Sequence, residues 1–208
     1  MATSSKESIL KKIRQALSNP APLPFPGSEG NNSLFTPPTE DLDILFAEEF
    51  TRLLGKFTFC LDYKDLNKQL AQLVALNKWE RVYCIEPQLQ QITGIPDPAF
   101  SLKDCEASIT SCEYLISRTG SIVMSTAQKS GRSVSVYAPV HICIAFADQL
   151  VYDVQEGLAF LKEKYNGNIP SLITFATGPS RTADIEKTLV VGVHGPKEVY
   201  LFLVDKRE

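Results

Sequence analysis

Histidine is scarce in this chain: His141 and His194 are the only two, beside a single tryptophan and two methionines. Two histidines without a neighbouring cluster of cysteines and carboxylates make a poor metal site, so no metal is expected in the chain. Cysteine is present but unpatterned. The nearest of the five, Cys105 and Cys112, have six residues between them, which excludes zinc-ribbon or ferredoxin spacing and an intrinsic iron–sulfur cluster. An odd number of cysteines behind an N-terminus with no apolar signal-peptide core reads as reduced thiols. Basic residues do not outnumber acidic ones: 21 Lys and Arg against 24 Asp and Glu give a net charge of −3. That argues against nucleic acid, whose phosphates call for a basic face. No apolar run approaches the roughly 18 residues that cross a bilayer, and the longest, 141–147, stops at Asp148. The expected compartment is the cytoplasm. Neither a dinucleotide glycine fingerprint nor a G-x-S-x-G nucleophile elbow occurs.

What is there suits one globular domain with an appendage: 208 residues, 44% hydrophobic and 22% charged. Within 1–18, Ile9, Leu10, Ile13, Ala16 and Leu17 share one helical face opposite lysines and arginine, which predicts an amphipathic helix. Six of the thirteen prolines fall between Pro20 and Pro38, so 19–41 reads as a proline-rich linker that tethers this helix to a domain over 42–208. In the domain, helices are predicted over 42–54, 63–77 and 152–165, with a short one near 87–92. Strands are predicted over 56–61, 80–86, 141–147, 171–177 and 198–204. Residues 105–138 read as an inserted or edge region of short strands and loops. This rhythm predicts an α/β fold: a three-layer, mostly parallel sheet with helices on both faces.

Near the C-terminus stands "TGPSRTADIEKTLVVGVHGP". A helix is expected from Thr182, with Asp184 and Glu186 in its first turn. Arg181 would then face the positive end of the helix dipole, disfavoured by about 0.3–1 kcal/mol. Either Asp184 or a bound anion would offset that. In the second case Gly178 lets the backbone approach, Ser180 and Thr182 donate from their hydroxyls, and the N–H groups of 180–183 form a pocket for a small carboxylate or phosphate at the C-terminal edge of the sheet. In the first case the segment is a capped helix and nothing more. Thr119 and Gly120, before the strand-like "SIVM", and Arg132, in the turn around Gly131, are further candidate contacts. His194 is a candidate proton donor or anion contact.

The same C-terminal stretch, followed by "EVYLFLVD", resembles the LUD-domain proteins, in particular the lactate utilization protein C group (LutC, YkgG-like). "RTGSIVMST", "APVHICIAFADQLV" and the "ESILKKIRQAL" helix before a proline-rich linker extend the resemblance along the chain. It implies a fold similar to the NagB/RpiA/CoA-transferase-like group. It also implies a part in oxidising L-lactate to pyruvate beside LutA-like and LutB-like partner proteins, which would carry the iron–sulfur clusters, with no redox cofactor in this chain. Many such proteins have "ETG" where this chain has Arg118-Thr119-Gly120, so a covalent carboxylate mechanism gains no support. The alternative is an enzyme acting on a small phosphorylated or carboxylated metabolite, CoA-transferase- or cyclo-ligase-like.

The linker reading has a direct test. Limited proteolysis of the free protein is expected to cut first between Gly27 and Ser33, and resistance there equal to that of the domain would overturn it.

Overall fold

The computed structural model describes residues 5–18, 38, 40–183 and 189–205. It divides into two compact units at Pro38. In the first, α1 (Ser5–Leu17) is a helix whose Ile9, Leu10 and Ile13 are all solvent-exposed. Most of the expected linker lies outside the described residues.

The second unit opens with α2 (Leu42–Arg52), β1 (Lys56–Cys60), α3 (Tyr63–Asn77), β2 (Val82–Tyr83) and α4 (Pro87–Thr93). There follow β3 (Ala107–Thr110), β4 (Tyr114–Ile116), β5 (Ser121–Ser125), α5 (Val134–Tyr137) and β6 (Val140–Phe146). The chain continues through β7 (Leu150–Val151), α6 (Val154–Lys164), β8 (Ile173–Ala176), β9 (Arg181–Ala183), β10 (Leu189–Val191) and β11 (Glu198–Val204). Capping sets some of these limits. Asp62 and Asp153 accept the N–H groups of Asp65 and Glu156 and so start α3 and α6. The strand expected over 80–86 is shorter, because the Glu106 carboxylate takes the Glu80 and Arg81 N–H groups and Gln90 takes the Cys84 carbonyl.

Five strands form an all-parallel sheet in the order β1-β11-β6-β3-β2. Its central strands are buried on both faces, as parallel strands usually are. Along β6, Val140, Ile142, Ile144 and Phe146 enter one core with Leu66 and Leu70 of α3 and Leu89 of α4. Cys143 and Ala145 enter a second core on the opposite face. Two-residue alternation thus sends one strand's side chains into two cores. The second core is closed by Phe46 and Phe50 of α2, whose rings stack at 5.5 Å, and by Leu115, Ile122 and Met124.

Those last three residues belong to a second sheet, β7-β4-β5-β8, in which β5 is antiparallel to both neighbours. Its outer face packs Ile116, Val123 and Val151 on Leu161 of α6. The layers therefore run α3/α4, parallel sheet, α2 with the mixed sheet, then α6. The region read as an insertion splits between these layers. β3 lies inside the parallel sheet, while β4 and β5 build the second one, because their short apolar runs are buried on both sides.

A carboxylate braces the second sheet against α6. Glu113, 2% exposed, accepts hydrogen bonds from Lys164 Nζ (2.7 Å), Ser125 Oγ (2.5 Å) and Tyr165 Oη (2.7 Å). Burial alone would push its pKa up, but the donors outweigh it and hold the carboxyl below its ordinary value. A depressed carboxyl stabilises the fold above its unfolded pKa of about 4.3, and that contribution is lost as pH falls through the folded value. Glu113→Gln is expected to cost about 1–3 kcal/mol at pH 7. In urea melts the gap from the parent protein should close as pH falls below about 4.

Candidate functional site

The helix expected from Thr182 does not begin there. Arg181, Thr182 and Ala183 are a strand, paired antiparallel with Val191, Val190 and Leu189. The β-branched pair Val190-Val191 favours the extended form over the helical promise of the acidic residues before it. Asp184 lies outside the described residues. Arg181 stands in a strand, so it does not immediately precede a helix N-terminus. Its Nη2 instead donates to the Leu53 carbonyl at 2.6 Å, at the C-terminal end of α2, where a cation is favourable.

Gly178 meets the same carbonyl from the other side. Its φ is +90°, and a Cβ added there would lie 2.5 Å from Leu53 O, so no other residue fits without moving α2 or the loop. Two further bonds hold Ser180: its N–H donates to the Pro196 carbonyl at 2.9 Å, and its carbonyl accepts from Gly192 at 2.9 Å. The Ser180 N–H is thus already committed and does not face an anion as expected.

These loops enclose a cleft of about 400 Å³ between the two sheets. Gly178, Pro179 and Ser180 form one wall, His194, Gly195 and Pro196 another, and His141 lies beneath with Val199 and Met124. An adjoining groove of about 420 Å³ shares Val136, His194 and Gly195 and carries Tyr137 and Lys197. The cleft does follow the C-terminal end of β8. However, His141 and Val199 are the second residues of β6 and β11, so it opens at the N-terminal edge of the parallel sheet and not at the C-terminal edge expected. The reason is topological: β8 belongs to the other sheet.

Of the candidates, the structure brings Gly178, Ser180 and His194 together at this cleft. Thr119 reaches it indirectly. Its hydroxyl is 2.8 Å from Ser121 Oγ, which is 2.9 Å from Oγ1 of Thr177, a lining residue. Gly120 packs against α2: a Cβ there would lie 2.5 Å from the Phe50 nitrogen. Arg132 is exposed on the turn before α5, and Thr182 sits in the β9–β10 pair, neither among the described lining residues.

His141 was not among the candidate site residues read from the sequence. It is fully buried, with Nε2 2.8 Å from Thr110 Oγ1 and Nδ1 without a partner. Burial pushes its pKa down to about 4, so the ring is neutral at physiological pH. The one available signal was a polar residue in the otherwise apolar run "VHICIAF". The described lining residues include no aspartate or glutamate. Burial also raises the thiols, Cys60 to about 12 and Cys84 to about 11, which leaves them protonated and unreactive. No three His, Cys, Asp or Glu side chains gather as a metal site would require among the described residues.

Residues 100–204 match the LUD domain. The chain belongs to the LUD domain family. Among similar proteins, lactate utilization protein C of Bacillus licheniformis is 38% identical over 101 residues, 48% of this chain and 42% of that protein. The protein of the same name from Geobacillus kaustophilus is 31% identical over 129 residues, 58% of this chain and 54% of its own. The chain thus spans about half the length of the curated relatives it matches. A crystal structure of a DUF162 family protein from Deinococcus radiodurans shares the fold, with a TM-score of 0.57 at 22% identity over 80% of this chain and 99% of that one. The cleft of this LUD-domain chain falls wholly inside the matched segment, between Met124 and Val199. No helix among the described residues is long and apolar enough to cross a membrane.

Two substitutions test how the cleft wall is held. Gly178→Ala is expected to cost about 2–3 kcal/mol, from a positive φ plus a backbone clash. Arg181→Ala removes one exposed hydrogen bond and is expected to cost about 1 kcal/mol. Denaturant midpoints measure both, and an unchanged midpoint for Gly178→Ala would show that the loop does not rest on α2.

Proposed function

We propose that this chain is a component of a lactate-utilization system, oxidising L-lactate to pyruvate in the cytoplasm. In this reading it works beside LutA-like and LutB-like iron–sulfur proteins and holds a small carboxylate in the cleft between its sheets. The observation that carries the reading is the cleft itself, built entirely from the segment that makes the chain a LUD domain. The similar proteins named lactate utilization protein C supply the process. Removing two electrons from lactate needs an acceptor that side chains do not supply, and the partners' clusters are assigned that part. This chain contributes a site where a neutral histidine and hydroxyls meet at the edge of two sheets.

Reconstitution tests this directly. Lactate-dependent dye reduction by the cluster-bearing partners is expected to fall to background when this chain is omitted and to return when it is added back. A full rate without it would overturn the proposal.

A further inference from the structure

The parallel sheet ends on one side in β1, which pairs with β11 alone among the described residues. The Cys60 carbonyl accepts from the Asp205 N–H at 2.9 Å and so faces β11. Backbone groups alternate sides along a strand, which turns those of Phe57 and Phe59 outward. The Phe59 carbonyl takes Gln69 Nε2 at 3.2 Å, and no other outward group of β1 meets a partner among the described residues.

Natural edges are blunted by shortness, a proline, a bulge or an outward lysine. β2, at the opposite edge, is two residues long. β1 has none of these devices. Its sequence, KFTFC, runs in unbroken register with Tyr200 to Val204. Its one lysine, Lys56, turns back over the sheet to Glu198 and the Tyr200 hydroxyl, both at 2.7 Å.

Both faces beside this edge are uncharged. Toward α2, Phe57 packs on Phe46 with ring centroids 6.3 Å apart, while Phe59 stays 40% exposed. On the other face Thr58 adjoins α3, whose Gln69, Gln72, Leu73 and Leu76 line a groove of about 210 Å³. Those four stand at i, i+3, i+4 and i+7, so they share one side of the helix. Lys64 and Lys68 lie on the same helix and outside the stripe, yet Leu76 within it is 81% exposed.

We infer that a second copy of this chain covers the edge, its β1 running antiparallel to the first about a two-fold axis at Thr58. In that register Phe57 stands opposite Phe59 of the second copy, and Phe59 opposite its Phe57, which sets aromatic pairs across the strands. All four residues face outward, so each pair exchanges both N–H···O bonds, and the Phe59 carbonyl has a second lone pair for Gln69. Lys56 falls opposite Cys60, so no like charges meet. The two α3 stripes come to lie on one face of a single sheet made of two five-stranded halves. Residues 20–38 of the chain suit the edge less well, because their six prolines lack the N–H that a ladder needs. A two-fold pairing uses the pattern that β1 already carries and closes on itself.

Sedimentation equilibrium of the full chain at about 100 μM is expected to give twice the 23.0 kDa chain mass. Phe59→Lys and Leu76→Lys each put a charge into the joint and should return the mass to one chain, with far-UV circular dichroism unchanged. Cross-linking tests the register. Thr58 meets its own copy in a pair with Cα atoms about 4.5 Å apart, within disulfide reach. Since the natural cysteines are buried, Thr58→Cys treated with diamide should run as a covalent dimer, and Lys162→Cys on exposed α6 should not.

A one-chain mass at that concentration overturns the inference and leaves the edge to a strand of another protein. So does a dimer that both lysine variants leave intact, or one in which Thr58→Cys cross-links no better than Lys162→Cys. If Phe59→Lys fails to fold, Leu76→Lys and the cross-link decide.

Discussion

The carbonyl of Leu53, at the end of α2, organises the functional end of the molecule. A helix leaves its last carbonyls without internal partners, and they must be satisfied from outside. Here Arg181 donates to one of them while Gly178 presses its backbone against the same oxygen. Both contacts come from a loop more than a hundred residues away in sequence, and together they fix where Thr177 to Ser180 run. α2 is itself immobilised by Phe46 and Phe50, fully buried in the core between the sheets. The position of the cleft wall is therefore inherited from the hydrophobic core through one backbone oxygen.

The floor follows a different logic. Ser108, Thr110 and His141 are buried polar residues on strands that are otherwise apolar. Ser108 satisfies itself by donating to the Val134 carbonyl of α5 at 2.8 Å, and Thr110 is shared between His141 and Met124. Unmet polar groups at such depth cost about 1–3 kcal/mol each. Polar side chains on the strand face beside a cleft therefore contrast with the dry core a few residues along the same strands, where Cys143 and Ala145 take over. The carboxylates follow the same rule elsewhere: Glu113 is buried with three donors around it, away from the cleft.

Much of the fold was legible in the chain. The helix predicted over 63–77 and the strand over 198–204 have the observed limits, since a capping aspartate and an unbroken apolar run are local signals. The α/β class followed from their alternation. Three things were not legible. A single run over 105–138 had to be divided between two sheets, because the periodicity of a short buried strand does not say which neighbour it pairs with. Arg181 was read as preceding a helix, whereas it stands in a strand and its partner, Leu53, is a backbone group with no sequence signature. His141 was not singled out, because only the fold places its strand beneath two loops from other parts of the chain.

The sequence by itself determined where most elements begin and end, the apolar faces they present, and the absence of cluster-spaced cysteines. It also carried the family resemblance, because motifs survive as linear strings. Only the tertiary structure decided which edge of the sheet bears the cleft, that Gly178 and Arg181 serve α2, and that a buried histidine meets Ser180 and His194. The reason is physical. Local propensity and capping act over a few residues, whereas a cleft is made of contacts between segments whose separation along the chain leaves no periodic trace.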